Sequence, residues 1–589
     1  MDDGSSAISI ADEALSAYSD LDFTNAMRLL KDCSAVNRTC AALEAELDFL
    51  TTNSKEKLIG QADDGNEEAQ YLVGSLYSNL EATDQNLFPE GVLYLYAAST
   101  AGHRAALMTM GYRHFHGYGV PMRCETAALN YIEVAKEVAH LYSSGLPQAV
   151  ELIRLGPPSV TGQKDPTKRM TVAEINMFEQ MAKSDASVAH NVAKRFLLGF
   201  DGFRQDYAKA LSLLEIHSHK HAPSLSLQGY MHCLGLGVPN DTALAERLFT
   251  KSLDLSKDRD SLALNGLGFI SFTRGDYLEA FSKFNESAHG GSSDGMFNLA
   301  SLFLSGLGTD QHFQRAFIWF SQALEAGHTP AGFALAVMHL NGIGTGRDCR
   351  LAVKLLKEVA ERSEWVSQTL QMAYRAGNSA TAALAYLKLA EAGHEVSQQN
   401  LAHLLDSDDV GSLWGLGKVT AQRFYELSAD QGGVGSATSE VKLGDFAYYG
   451  KGVYINLDPS GSPRAMPRDE PDYQVAFQHY RKVAGIAEDR NSAAVISAAK
   501  FSLGFLYHFG LGTDQDIRQA RLLYKESFHA YPPLAVTAEV FLYLHSIWLR
   551  WPSFTQLPNA FINDARTCAV VTALCLIPAL IYIRRRINT

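Results

Sequence analysis

Apolar residues along most of this 589-residue chain recur at helical spacing, in stretches that come in pairs. The first stretch of a pair reads like Met296–Phe303, with apolar side chains three and four positions apart. The second reads like Arg315–Ala323, where small residues alternate with aromatics. The same pair recurs as Phe333–Leu340 with Leu351–Ala360, and as Phe501–Tyr507 with Ala520–Ser527. A G-x-G turn follows the first stretch, and it recurs at Gly117 and Gly119, Gly235 and Gly237, Gly306 and Gly308, Gly342 and Gly344, Gly450 and Gly452, and Gly510 and Gly512. The third and fourth turns are 36 residues apart; the second and third are 71 apart and the fourth and fifth 108, close to two and three such units. Ala-Gly-His, at 101–103, 326–328 and 392–394, is a second marker in phase with the first. Glycine in the turn permits positive φ and ends a helix. Alanines let two helices approach while Phe, Tyr and Leu fill the seam. One such hairpin cannot bury its apolar face alone, but stacked neighbours can. The pattern predicts an all-α superhelical solenoid of helical hairpins.

The array is interrupted. Leu155–Met170 carries proline, glycine and charge and reads as a linker; Leu457–Asp472 reads as an exposed insertion; Asp406–Val419 is a weaker break. These interruptions predict an N-terminal repeat cluster over 1–154, a linker over 155–170, a middle cluster over 171–365 and a C-terminal cluster over 366–551, with the insertion at 457–472.

The tail is different in kind. Residues 567–583 are 17 consecutive uncharged positions followed by Arg584-Arg585-Arg586, which predicts one transmembrane helix and a short basic tail over 584–589. Pro578 inside it is tolerated better in a membrane helix than in a soluble one. Just before it, 534–551 is mostly apolar but carries Glu539, His545 and Arg550. It reads as an amphipathic end helix, and its Phe541, Leu544, Trp548 and Trp551 exceed what capping one repeat requires, which makes them candidates for a partner contact. The basic flank keeps the C-terminus cytosolic and places the repeats in a lumen.

Composition changes little. A net charge of −13 supplies no basic footprint for nucleic acid. The seven cysteines show no C-x-x-C and no evident disulfide framework: Cys568 and Cys575 lie in the tail and Cys124, Cys233 and Cys349 are scattered, while Cys33 and Cys40 could pair if their helices turn back on each other. Asn37, Asn240 and Asn285 head N-x-[ST] sequons, candidate glycosylation sites compatible with a secretory location. No constellation points to catalysis, a cofactor or a metal. Ser293 satisfies G-x-S-x-G but lies between helices with no preceding strand. His217, His219 and His221 fit a solvated turn better than a metal site, and His114 and His116 read as packing or surface residues.

The hairpin resembles the SEL-one-like repeat, a relative of the tetratricopeptide repeat, over most of the chain. Asn341–Trp365, Leu389–Leu405 and Gly111–Ala139 resemble one family in particular, the SEL-one-L family of luminal adaptors of the HRD ubiquitin ligase. The ending resembles it too: a last repeat, an exit at Tyr531–Pro533, an apolar segment, a membrane segment and a basic tail. The resemblance implies a non-enzymatic, membrane-anchored adaptor in endoplasmic-reticulum-associated degradation, recruiting misfolded luminal proteins and stabilising the ligase. Implied partners are a multi-spanning RING ubiquitin ligase, contacted through Phe541, Leu544, Trp548 and Trp551, a lectin co-adaptor and misfolded glycoprotein clients. Self-association into a homo-oligomer is also compatible with such an array. The implied location is the endoplasmic reticulum membrane, single-pass, with luminal repeats. The chain departs from the family in its short tail, its insertion and an acidic N-terminus (MDDGSSAISIADEALSAYSD) without the pattern of a signal peptide. That last departure leaves two readings open: the sequence begins after its true N-terminus, or the alternative holds and the chain is a cytosolic tail-anchored repeat scaffold on an organelle membrane.

Overall fold

A computed structural model describes residues 3–530, apart from 35–36, 80–86, 145–148, 151, 156–169, 258, 408–412, 433, 452, 458–462, 468–469 and 487–492. The segments 534–551 and 567–583, with Phe541, Leu544, Trp548 and Trp551, lie outside the described residues, as does most of the 155–170 linker. Among the described residues there are 27 α-helices, and none is long and apolar enough to cross a membrane.

The helices pair as the periodicity predicts. Ser293–Ser305 packs with Phe313–Glu325, Thr329–Asn341 with Cys349–Ala360, and Ala493–Phe509 with Ile517–Ala530. The first glycine of each described turn, from Gly117 to Gly510, stands at φ between +64° and +81° and closes the helix before it. The second glycine has a separate role. At Gly308 a Cβ would lie 2.1 Å from the Tyr277 carbonyl oxygen, so the turn sits directly on the preceding hairpin's second helix. Inside a hairpin the approach is equally close: a Cβ on Gly229 would lie 2.7 Å from the Phe249 ring. Many second helices open on an aspartate N-cap, as at Asp206, Asp241, Asp276, Asp348 and Asp472, whose carboxylates accept a first-turn N–H. Each such cap is worth about 1 kcal/mol.

The chain divides into two compact units. One holds the described residues within 1–153, 167–397 and 413–415; the other holds those within 154–166, 398–412 and 416–589. In the first, the hairpins do more than stack in order. Helix Cys124–Ser144 packs along Cys349–Ala360 and also meets Thr329–Asn341, while Ser379–Glu391 lies against Glu67–Tyr77 and Arg104–His116. The early hairpins of this unit therefore meet its late ones.

The second unit is built on Val441, Tyr480, Val495, Leu503, Leu506 and Leu523, from helices Val434–Tyr449, Tyr473–Ala484, Ala493–Phe509 and Ile517–Ala530. Its insertion contains a departure from the all-α expectation. Val453–Leu457 and Pro463–Pro467 form an antiparallel pair in the register Val453↔Pro467 to Leu457↔Pro463. Prolines stand at both ends of the second strand, positions where a missing N–H is tolerated.

Cysteine usage bears out the Cys33–Cys40 pairing that the sequence left open and corrects the reading of Cys124 and Cys349 as scattered. Cys33 pairs with Cys40, and Cys124 with Cys349 across 225 residues, leaving Cys233 as the free thiol among the described residues. The second pair looked scattered because its partners meet only through the superhelix: each begins one of the two helices that pack where early and late hairpins join.

Candidate functional site

The groups that carry chemistry gather where the early and late hairpins of the first unit meet. Helix Ser379–Glu391 (SATAALAYLKLAE) is buried along nearly its whole length, so its two charged residues, Lys388 and Glu391, are carried inside. Charges taken out of water must be paired and hydrogen-bonded. The early hairpins supply the partners.

Lys388 donates to both carboxylate oxygens of Glu46 at 2.7 Å, and Glu68 Oε1 stands 3.7 Å away. Tyr18 donates its hydroxyl to Glu46 at 2.5 Å. The Tyr71 hydroxyl donates to the Lys388 carbonyl. One turn further on, Glu391 accepts from Arg113 at 2.8 Å and from Asn79 Nδ2 at 2.8 Å. Side-chain exposure of the Arg113–Glu391 pair is 2% and 3%, so neither charge has recourse to water. The backbone joins in: Gly393, at φ +88°, fits against the Tyr112 ring, where a Cβ would lie 2.5 Å from it.

His103, of the first Ala-Gly-His marker, fixes the edge of this seam. Its Nδ1 accepts the Ala106 N–H, so Nε2 carries the proton and donates to Glu68 at 2.7 Å. Burial alone would raise the Glu68 carboxyl; His103 and Lys388 overcome it and hold the group at about 2. Burial likewise would lower the Lys388 ammonium, but Glu46 and Glu68 raise it above the ordinary lysine value. Lys388 and Glu391 are each paired with elements distant in sequence. This arrangement can hold two runs of repeats in one register, and it presents no open acid, base or nucleophile.

The residues singled out in the sequence fall elsewhere. Ser293 opens helix Ser293–Ser305 behind the N-cap Ser292, and Gly295 beside it packs on Ser287, leaving no elbow. His217 Nε2 meets the Ala182 carbonyl at 2.9 Å and His221 Nδ1 meets Ser224 Oγ at 2.8 Å. Among the described residues no three His, Cys, Asp or Glu side chains are placed to hold a metal. His116 stacks on Tyr118, with ring centroids 5.5 Å apart, and His114 meets the Pro121 carbonyl. Asn37 caps helix Arg38–Thr52, Asn240 lies in the turn before Thr242–Ser256, and Asn285 lies within Tyr277–His289. The buried seam was missed. Its one signal was a lysine and a glutamate in a helix otherwise too small and apolar to have a wet face.

The Sel1-repeat family profile matches residues 67–103, 105–121, 186–216, 225–257, 293–328, 330–363 and 497–528. With the hairpin geometry above, this makes the chain a Sel1-repeat protein. At modest identity it is related to Protein sel-1 homolog 2 and to HRD3 components. The rat sel-1 homolog 2 is 33% identical over 189 residues, 32% of this chain and 24% of the relative, so the match spans about a quarter of that relative's length. The "ERAD-associated E3 ubiquitin-protein ligase component HRD3B" of Arabidopsis thaliana is 26% identical over 529 residues, 88% of this chain and 76% of the relative. A crystal structure of c5321, an Escherichia coli antigen with an SLR fold, covers 81% of this chain and 87% of its own at 19% identity, with a TM-score of 0.23. That score is too low for the likeness to bear weight.

Proposed function

We propose that the chain is a non-enzymatic, membrane-anchored adaptor of an endoplasmic-reticulum ubiquitin ligase complex, recruiting misfolded luminal proteins for degradation and stabilising the ligase. The observation that carries this reading is the likeness to the HRD3B ligase component, which runs through 88% of the chain rather than through a few repeats. Two disulfides support it, since such bonds persist in oxidising compartments. A stack of helical hairpins offers extended surface for protein partners. In this reading residues 567–583 anchor the chain and Phe541, Leu544, Trp548 and Trp551 contact a multi-spanning RING ligase. Lectin co-adaptors and misfolded glycoproteins engage the repeats.

Affinity purification of the full chain in mild detergent tests it. A RING membrane ligase should co-purify and should be lost when Trp548 and Trp551 are both changed to Ala. In sealed microsomes added protease should leave the repeats intact. Digestion of the repeats with membranes intact, and no ligase recovered, would instead support a cytosolic tail-anchored scaffold.

A further inference from the structure

Three sequons stand in the sequence, and the fold treats them differently. Asn285 lies in the body of helix Tyr277–His289, half-buried, with its carbonyl taken by His289 Nδ1 at 2.8 Å. The hydroxyl residue of that sequon, Ser287, is fully buried and donates to the Ser261 carbonyl at 2.7 Å. An oligosaccharide there would have to leave from a half-buried position in the body of a helix. Asn240 is exposed, but its Nδ2, the atom glycosylation would use, donates to the Cys233 carbonyl at 2.7 Å. That bond satisfies a carbonyl near the end of helix Ala222–Leu234 and ties down the Gly235–Gly237 turn.

Asn37 is also half-buried, but its amide is used differently. It stands outside the helix it caps, in the short loop that the Cys33–Cys40 disulfide closes. Its Oδ1 accepts the Thr39 N–H at 2.9 Å and the Cys40 N–H at 3.4 Å. Among the described residues its Nδ2 has no acceptor, and Arg38 and Thr39 beside it are exposed. The cap thus uses the oxygen of the amide and leaves its nitrogen available.

We infer that Asn37 is the N-glycosylated position of this chain and that Asn240 and Asn285 are unmodified, an inference that rests on the luminal placement proposed above. In the step itself Asn37 Nδ2 forms a bond to the anomeric carbon of a lipid-diphosphate-linked oligosaccharide. The bond from that carbon to the diphosphate oxygen breaks, the lipid diphosphate departs, and the amide gives up one proton to a base of the transferase. One N–H remains, and Oδ1 keeps its cap.

The experiment follows glycosidase-sensitive mobility of the full chain in eukaryotic cells, both as it stands and behind an added cleavable secretory leader. One shift is expected in both forms, abolished by Asn37→Gln and by Thr39→Ala, and unchanged by Thr39→Ser, Asn240→Gln or Asn285→Gln. Thr39→Ala leaves the Asn37 cap in place, so loss of the shift there is not a folding defect. A shift with the leader that survives both Asn37→Gln and Thr39→Ala overturns the choice of Asn37 alone. With the leader, absence of any shift overturns the choice of Asn37; digestion of the repeats by protease added to sealed microsomes overturns the luminal reading, and the inference falls with it.

Discussion

Two seams of the first unit make a useful contrast. Between successive hairpins, as where Gly308 meets Tyr277 or Gly266 meets Phe249, contact is made by bare backbone, small residues and rings. Where helix Ser379–Glu391 meets the early hairpins, contact is made by buried charges: Lys388 with Glu46 and Glu68, Arg113 with Glu391. An apolar seam is tolerant, because any hairpin of similar shape fits it. A charged seam excludes wrong partners, since a slip of one turn strands a charge without its counter-ion. The repeats use the tolerant seam many times and the exacting one where the order of the array gives no guidance.

Breaking the exacting seam should cost most. Arg113→Met leaves Glu391 buried without its cation, and a loss of about 3–5 kcal/mol is expected, read as early urea unfolding of the first unit. The pair Arg113→Met with Glu391→Leu should recover a large part of that loss, and no recovery would mean the charges are not coupled. Next comes the covalent tie at the same junction. Changing Cys124 and Cys349 together to Ser should cost about 2–4 kcal/mol and shrink the drop in melting temperature that mild reductant causes, leaving only the part that belongs to Cys33–Cys40.

Acidification separates the two seams by residue. His328, of the second Ala-Gly-His marker, is held by burial at about 4. A histidine depressed below its unfolded value near 6.5 stabilises fully above that pH and loses the contribution as pH falls toward 4. From pH 7.5 to pH 5 the loss is on the order of 2 kcal/mol, and His328→Gln should flatten that part of the profile in pH-dependent melting. Glu68, held at about 2, keeps its contribution until pH drops below the ordinary carboxylate value, so the charged seam weakens later. The smallest effect tests the tolerant seam. Gly308→Ala and Gly275→Ala share positive φ, but only the former meets backbone; the latter finds nothing within 4 Å. Alanine at 308 should cost about 1 kcal/mol more than at 275 by denaturant midpoint.

How much of this was legible follows the same division. Hairpins and turns are written locally, so Gly306 and Gly308 announce themselves in a window of about one repeat. The strands at Val453–Leu457 and Pro463–Pro467 were not announced, because a proline-rich insertion carries no clear alternation. Glu46, Lys388 and Arg113 belong to elements up to 342 residues apart, and nothing in their neighbourhoods names a partner. Cys124 and Cys349 were obscured for the same reason, as their meeting depends on the accumulated rotation of the hairpins between them.

The Cys124–Cys349 bond also sets a timetable. An ordinary solenoid grows by nearest-neighbour steps, each new hairpin settling on the last. Here Cys124 leaves the ribosome 225 residues ahead of its partner, with Glu46 and Arg113 earlier still, waiting on Lys388 and Glu391. The early hairpins therefore remain half-finished through much of synthesis, with unpaired charges and a bare thiol. Such long-range closure slows folding relative to a simple stack. Any chaperone or oxidoreductase that attends this protein has its widest opening in that interval.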